Sequence, residues 1–180
     1  MTDRKQRFFP SVQKPARYTG GEWGEVQKEK KDVRIRVAFC FPDTYEIGMS
    51  NLGMRILYGV MNAQKDVWCE RVFAPWGDME EVMRREQIPL WALESQDPVK
   101  DFDMIAFTIG YEMAYSNVLN MLSLSGVPLH SSERTGLQNM VFAGGVCTFN
   151  PEPLADFVDF FSLGEGEEST VEILDVYRRA

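Results

Sequence analysis

Histidine is almost missing from this sequence, with His130 alone in 180 residues. A site built on paired imidazoles, for zinc or for acid–base relay, is therefore excluded. Cysteine is nearly as scarce. Cys40, Cys69 and Cys147 lie too far apart in the chain for a local chelate, and three thiols cannot all pair internally. Cys40 falls in an apolar run, where a buried inert thiol is expected. Long hydrophobic runs are absent as well. The longest charge-free stretch, residues 113–132, carries Ser116, Asn117, Asn120, Ser123, Ser125, Gly126 and Pro128, so it reads as a buried helix plus a loop, not a membrane span. Met1-Thr2-Asp3-Arg4-Lys5 opens onto no apolar segment of the kind a secretory signal needs, and the expected compartment is the cytoplasm.

Phosphate-binding strings are missing too. No segment has the spacing of a P-loop. Gly164-Glu165-Gly166-Glu167-Glu168-Ser169 has the outline of a dinucleotide fingerprint, but three carboxylates would face the pyrophosphate and Ser169 stands in the third glycine position. These glycines read first as a tight strand-to-helix turn whose glutamates complement the helix dipole, and second as a lining for neutral hydroxyl or amide groups. A receiver-type phosphorylation site fails on Thr108 and Ile109, which end the strand where an aspartate is required, and on the lack of a lysine near Gly164. His130, after Val127-Pro128-Leu129, reads as an ordinary surface or strand-end residue. Cys147, beside Gly144-Gly145 in a rim loop, is the one thiol worth testing for reactivity.

What is present is an ordinary globular composition, 44% hydrophobic and 26% charged, and enough chain for one domain with an arm. The net charge of -8 is unevenly spread: residues 1–36 hold ten Lys and Arg against five Asp and Glu, and the remainder nine against 22. So acidic a body would repel a phosphate backbone, and nucleic acid is not an expected partner. Residues 1–32 are punctuated by Pro10, Pro15, Gly20, Gly21 and Gly24 and form an irregular arm. Its Phe8, Phe9, Tyr18 and Trp23 predict that the arm lies across the surface of the domain at 33–180.

From residue 33 the pattern is regular. Residues 33–41 begin as apolar/polar alternation and end as a continuous apolar run, as a strand entering a covered parallel sheet does. Ser50 then caps a predicted helix with Leu52, Ile56, Leu57 and Val60 inward, and Met49 and Met54 form a hydrophobic staple. The unit recurs. Residues 67–73 read as a strand, Asp78 and Glu81 as a capping box for a helix burying Met79, Val82 and Met83, and residues 88–91 as a short edge strand. Residues 104–109 are the best central strand, followed by a helix with Tyr111, Tyr115, Val118, Leu119 and Leu122 on one stripe. Two further strands are predicted at 140–143 and 157–163, and a last helix at 167–178. Strands alternating with helices imply right-handed crossovers, hence a doubly wound α/β domain with a mainly parallel sheet. Ligands in such sheets bind beyond the carboxyl ends of the strands, which singles out residues 42–49, 74–77, 108–112, 144–150 and 164–167.

One set of motifs occupies those loops. Asp43-Thr44-Tyr45-Glu46-Ile47-Gly48 has the Asp-x-His-x-x-Gly spacing of cobalamin-binding domains with Tyr45 in the histidine position, and Gly144-Gly145 stands where those domains have paired glycines. Together with residues 149–157 and Gly164-Glu165-Gly166-Glu167-Glu168, the order resembles the N-terminal cobalamin-binding-like domain of radical S-adenosylmethionine proteins. The resemblance extends over residues 14–177 through Lys14-Pro15-Ala16-Arg17-Tyr18, residues 41–50 and Arg71-Val72-Phe73-Ala74-Pro75-Trp76, which look like an uncharacterised subfamily.

The resemblance implies a flavodoxin-like, cobalamin-binding-like fold and a cofactor site at Asp43, Tyr45, Gly48, Thr108, Gly110, Gly144, Gly145, Glu165 and Gly166. It implies one domain of a longer enzyme, partnered by a downstream radical domain that holds a 4Fe-4S cluster and S-adenosylmethionine. The Cys-x3-Cys-x2-Cys triad for that cluster is absent from all 180 residues, so this chain is not expected to perform radical chemistry itself. A Tyr45 phenol with a pKa of about 10 is a poor cobalt ligand, so any cobalamin is expected to bind without histidine ligation. The competing expectation is a structural cap or docking domain that has lost the corrinoid site, favoured by the large Tyr45, Trp76, Tyr111, Glu112 and Phe149 in the rim loops.

Overall fold

The computed structural model describes residues 5–180. Five short apolar segments form the sheet: β1 (Ile35–Phe41), β2 (Val67–Phe73), β3 (Met104–Thr108), β4 (Met140–Gly144) and β5 (Phe160–Phe161). All neighbours pair in parallel, in the order β2-β1-β3-β4-β5. The architecture is α/β, doubly wound and flavodoxin-like, and the uninterrupted apolar strands have their physical reason in a sheet covered on both faces.

Alternation along β1 sorts the two cores. Val37, Phe39 and Phe41 face α2 (Leu52–Ala63) and α5 (Gly166–Arg179), while Ala38 and Cys40 face α3 (Gly77–Glu86) and α4 (Tyr115–Ser125). Phe39, Ile105, Phe107 and Phe142 are all buried. The crossover from β4 to β5 contains no α-helix; two 3-10 turns, Val146–Phe149 and Glu152–Leu154, carry it.

Several local expectations are corrected. The segment after β1 is not all loop, because α1 (Tyr45–Ser50) forms there. Asn51, not Ser50, caps α2: its Oδ1 accepts from the Met54 N–H (2.8 Å). The buried stripe of α2 is Met54, Tyr58 and Met61, and Leu52 and Ile56 face solvent. Apolar pairs one turn apart lie on either side of this helix, Leu52 with Ile56 and Met54 with Tyr58, and contact with the sheet selects the methionine side. No capping box forms at α3; Asp78 instead accepts from the backbone of Gln13 in the arm (2.5 Å). The edge strand expected at 88–91 reduces to one antiparallel bridge, Trp91 with Pro98. The fifth strand shrinks to two residues. Tyr111 lies outside α4 and is exposed, and the helix buries Val118, Met121 and Leu122.

Segments outside the sheet protect the edge of β2. Leu93 N–H donates to Arg71 O (2.9 Å), and Arg71 N–H to Glu94 Oε2 (2.7 Å). The arm lies over this seam: Trp68 Nε1 donates to Val26 O (3.0 Å), Val26 N–H to the Tyr58 hydroxyl (2.7 Å), and Lys28 Nζ to Asn62 O and Gln64 O at the end of α2. A bare edge strand would template pairing with another chain, and these contacts prevent it.

Candidate functional site

Register across the sheet places Phe39, Ala106, Phe142 and Phe160 in one row on the face covered by α2 and α5. Ala106 lacks the bulk of its neighbours, so the row dips between Phe39 and Phe142. Above the dip a cavity of about 240 Å3 opens at the carboxyl ends of the strands. Its walls are Leu57 and Met61 of α2 and Gly166 and Thr170 of α5, and its lip is Thr108, Gly144, Gly145, Ser162, Gly164 and Glu165.

Backbone demands explain two of the glycines. Gly145 has φ +103°, and a Cβ there would lie 2.6 Å from Ile109 O. The loops after β3 and β4 touch at this point, with Ile109 N–H donating to Gly144 O (2.8 Å) and Cys147 N–H to Ile109 O (3.3 Å). At Gly166 a Cβ would come within 3.0 Å of Leu57 Cδ2, so the missing side chain lets α5 close on α2.

Five of the nine residues singled out by sequence, Thr108, Gly144, Gly145, Glu165 and Gly166, line this cleft together. Asp43, Tyr45, Gly48 and Gly110 are not among its walls. Asp43 bridges two rim loops, accepting from the Thr44 N–H (2.6 Å) and from the Tyr111 hydroxyl. The Tyr45 ring packs edge-on against Phe73, 5.4 Å between centroids. Its hydroxyl faces Glu22 of the arm, and burial together with that carboxylate pushes the phenol up to about 12. Gly48 is a packing residue: a Cβ would strike the Phe73 ring at 2.2 Å. Gly110 is exposed in the loop after β3.

Other side chains with chemical potential lie elsewhere. His130 precedes β4, at the amino end of the strands, with its ring 5.1 Å from that of Phe157. Cys147, the thiol singled out for testing, is buried, and burial raises its thiol pKa, which does not favour reactivity. Among the described residues no His, Cys, Asp and Glu group is arranged to hold a metal. Sequence reading took Leu57 as an inward-facing helix residue and not as part of a site, and passed over Thr170, whose signal was that it lies one helical turn beyond Gly166 and therefore on the same face.

The all-parallel sheet with a glycine-lipped cleft at its strand ends defines an α/β domain of the flavodoxin-like class. The chain belongs to the family described as radical SAM proteins, N-terminal, whose match covers residues 53–180. It is also similar to an uncharacterized protein of Methanocaldococcus jannaschii, 27% identical over 144 residues that make up 79% of this chain and 26% of that protein. The chain thus spans about a quarter of the length of this curated relative. No helix among the described residues is long and apolar enough to cross a membrane.

Proposed function

We propose that this chain is the accessory domain of a radical S-adenosylmethionine protein, carrying a corrinoid over the strand ends and presenting it to a radical domain elsewhere in the same protein. The cluster and S-adenosylmethionine would belong to that radical domain. The observation that supports the reading is the cleft, with its apolar floor and backbone lip. A corrin ring is far wider than a cavity of about 240 Å3, but a benzimidazole base on its nucleotide arm is of a size to enter. The corrin itself would lie across Thr108, Gly110 and the Gly144-Gly145 backbone.

A corrinoid supplies a cobalt centre for alkyl or electron transfer; the residues of this chain would bind and orient it. They do not suit ligation of the metal, because Tyr45 is turned to the arm and the lone imidazole sits at the opposite end of the sheet. Titration with hydroxocobalamin, followed by the visible spectrum, tests the reading. Saturable binding, with no nitrogen splitting from a protein side chain in the paramagnetic resonance of the cob(II)alamin complex, is expected. Absence of binding would overturn it.

A second reading draws on a different observation. Every loop at the carboxyl ends carries an exposed large apolar residue: Ile47 after β1, Trp76 after β2, Met113 after β3, Phe149 after β4 and Leu163 after β5. Such a ring suits a docking face for the radical domain whether or not a corrinoid lies between them.

A further inference from the structure

The two edges of the sheet are treated differently. Along β2, Leu93, Glu94 and the arm cover the edge. At the other side, β5 has no strand beyond it among the described residues. Ser162 N–H donates to Ala143 O (2.8 Å), so backbone alternation turns the N–H and C=O of the neighbouring Phe161 away from β4. A groove of about 610 Å3 runs beside this edge, walled by Phe160, Phe161, Leu163, Ile173, Val176 and Tyr177. The Tyr177 hydroxyl donates to Leu137 O (3.2 Å) and closes one side. Ser162 is the one residue that the groove shares with the cleft. Val176 is 61% exposed and Leu163 59%, so the domain by itself leaves these walls in water.

Such a surface fits an added strand, because the unpaired backbone supplies hydrogen bonds and the groove takes alternate side chains. A second copy of this chain is disfavoured. A two-residue strand beside one narrow groove falls short of the roughly 1,200 Å2 that a stable interface between separate chains buries. A tethered segment needs no such area, since linkage raises its effective concentration to about the millimolar range. The arm is fastened at the opposite edge. The family, in contrast, describes the N-terminal part of radical SAM proteins, and the chain spans about a quarter of its curated relative. We propose that the β5 edge is completed by an extended segment of the same protein from outside residues 1–180, which pairs along Phe161 and lays apolar side chains into the groove. The one charged residue lining the groove is Glu172, so the segment is apolar at alternate positions and carries a Lys or Arg where it passes that carboxylate. The inference rests on the reading of this chain as one domain of a longer protein, and holds with or without a corrinoid.

Hydrogen exchange followed by mass spectrometry compares the 180-residue chain with the whole protein, each at two concentrations. In the whole protein the peptide spanning residues 160–163 is expected to exchange at least about tenfold more slowly, with no dependence on concentration. Val176→Lys puts a charge in the wall and can pair with Glu172 one turn back, which keeps α5 intact. It is expected to remove that protection in the whole protein while leaving the unfolding curve of the 180-residue chain unchanged. Met113→Ser combined with Phe149→Ser, at the carboxyl ends of the strands, leaves the protection in place. Equal exchange in the two proteins overturns the inference. So does protection of the 180-residue chain that grows with concentration, which makes a second copy the occupant. Protection that survives Val176→Lys, or that is lost in the Met113 and Phe149 variant, places the contact at the strand ends and overturns it as well. Cobalamin titration reads the corrinoid proposal separately, so either can fail without the other.

Discussion

At the scale of single residues, the most consequential group is Arg71, buried on strand β2. Its Nε donates to Glu94 Oε1 (2.6 Å) and its Nη2 to Glu22 Oε2 (2.8 Å), so one cation ties the strand, the segment that covers its edge and the arm. Burial outweighs that partner for Glu94 and pushes its carboxyl up to about 7, and burial moves Glu70 in the same direction. A carboxyl raised in the folded state binds its proton more tightly there than in the unfolded chain. Its stabilising contribution is complete below about pH 4.5 and is lost as pH rises towards 7, at up to about 1.4 kcal/mol per pH unit for one group. Urea unfolding between pH 5 and 7 will show stability falling as pH rises, and Glu94→Gln will flatten the slope by the share of one proton. An unchanged slope in that variant would place the effect elsewhere.

At the scale of elements, α2 shows how a cap and a packing face are chosen separately. Asn51 binds the first turn through Met54, whereas the Ser50 hydroxyl only reaches back to Ile47 O (2.8 Å) in α1. Asn51→Ala is therefore expected to cost about 1 kcal/mol in chemical denaturation, and Ser50→Ala less than about 0.5 kcal/mol. The reverse order would mean that Ser50 starts the helix. The far end of α2 depends on the arm, where Lys28 Nζ collects the carbonyls of Asn62 and Gln64. Helix ends leave such carbonyls without intrahelical partners, so a basic arm residue is useful there in a way that net charge alone does not reveal.

At the scale of the molecule, most of the large exposed apolar side chains gather at the carboxyl end of the sheet. Met113 is 84% exposed and Phe149 74%, so neither contributes packing to the isolated domain. Replacing both with serine is expected to leave the unfolding free energy within about 0.5 kcal/mol of the parent, while lowering self-association in sedimentation velocity at high concentration. A large loss of stability would show that these side chains belong to the core of the domain and not to a docking face.

The sequence by itself determined the class of fold, because strands as apolar as residues 104–109 are stable only in a sheet covered on both faces, and β/α alternation leaves parallel pairing as the regular solution. It also marked Thr108, Gly144, Gly145, Glu165 and Gly166, since strand-end glycines and turn residues are local features. Tertiary structure decided which face of α2 is buried, because Leu52-Ile56 and Met54-Tyr58 are both apolar pairs one turn apart and only contact with the sheet distinguishes them. It turned Tyr45 towards Phe73 and Glu22, partners distant in sequence. It also brought Gly166 of α5 against Leu57 of α2, a closeness that no local pattern reports because the two helices are more than 100 residues apart in the chain.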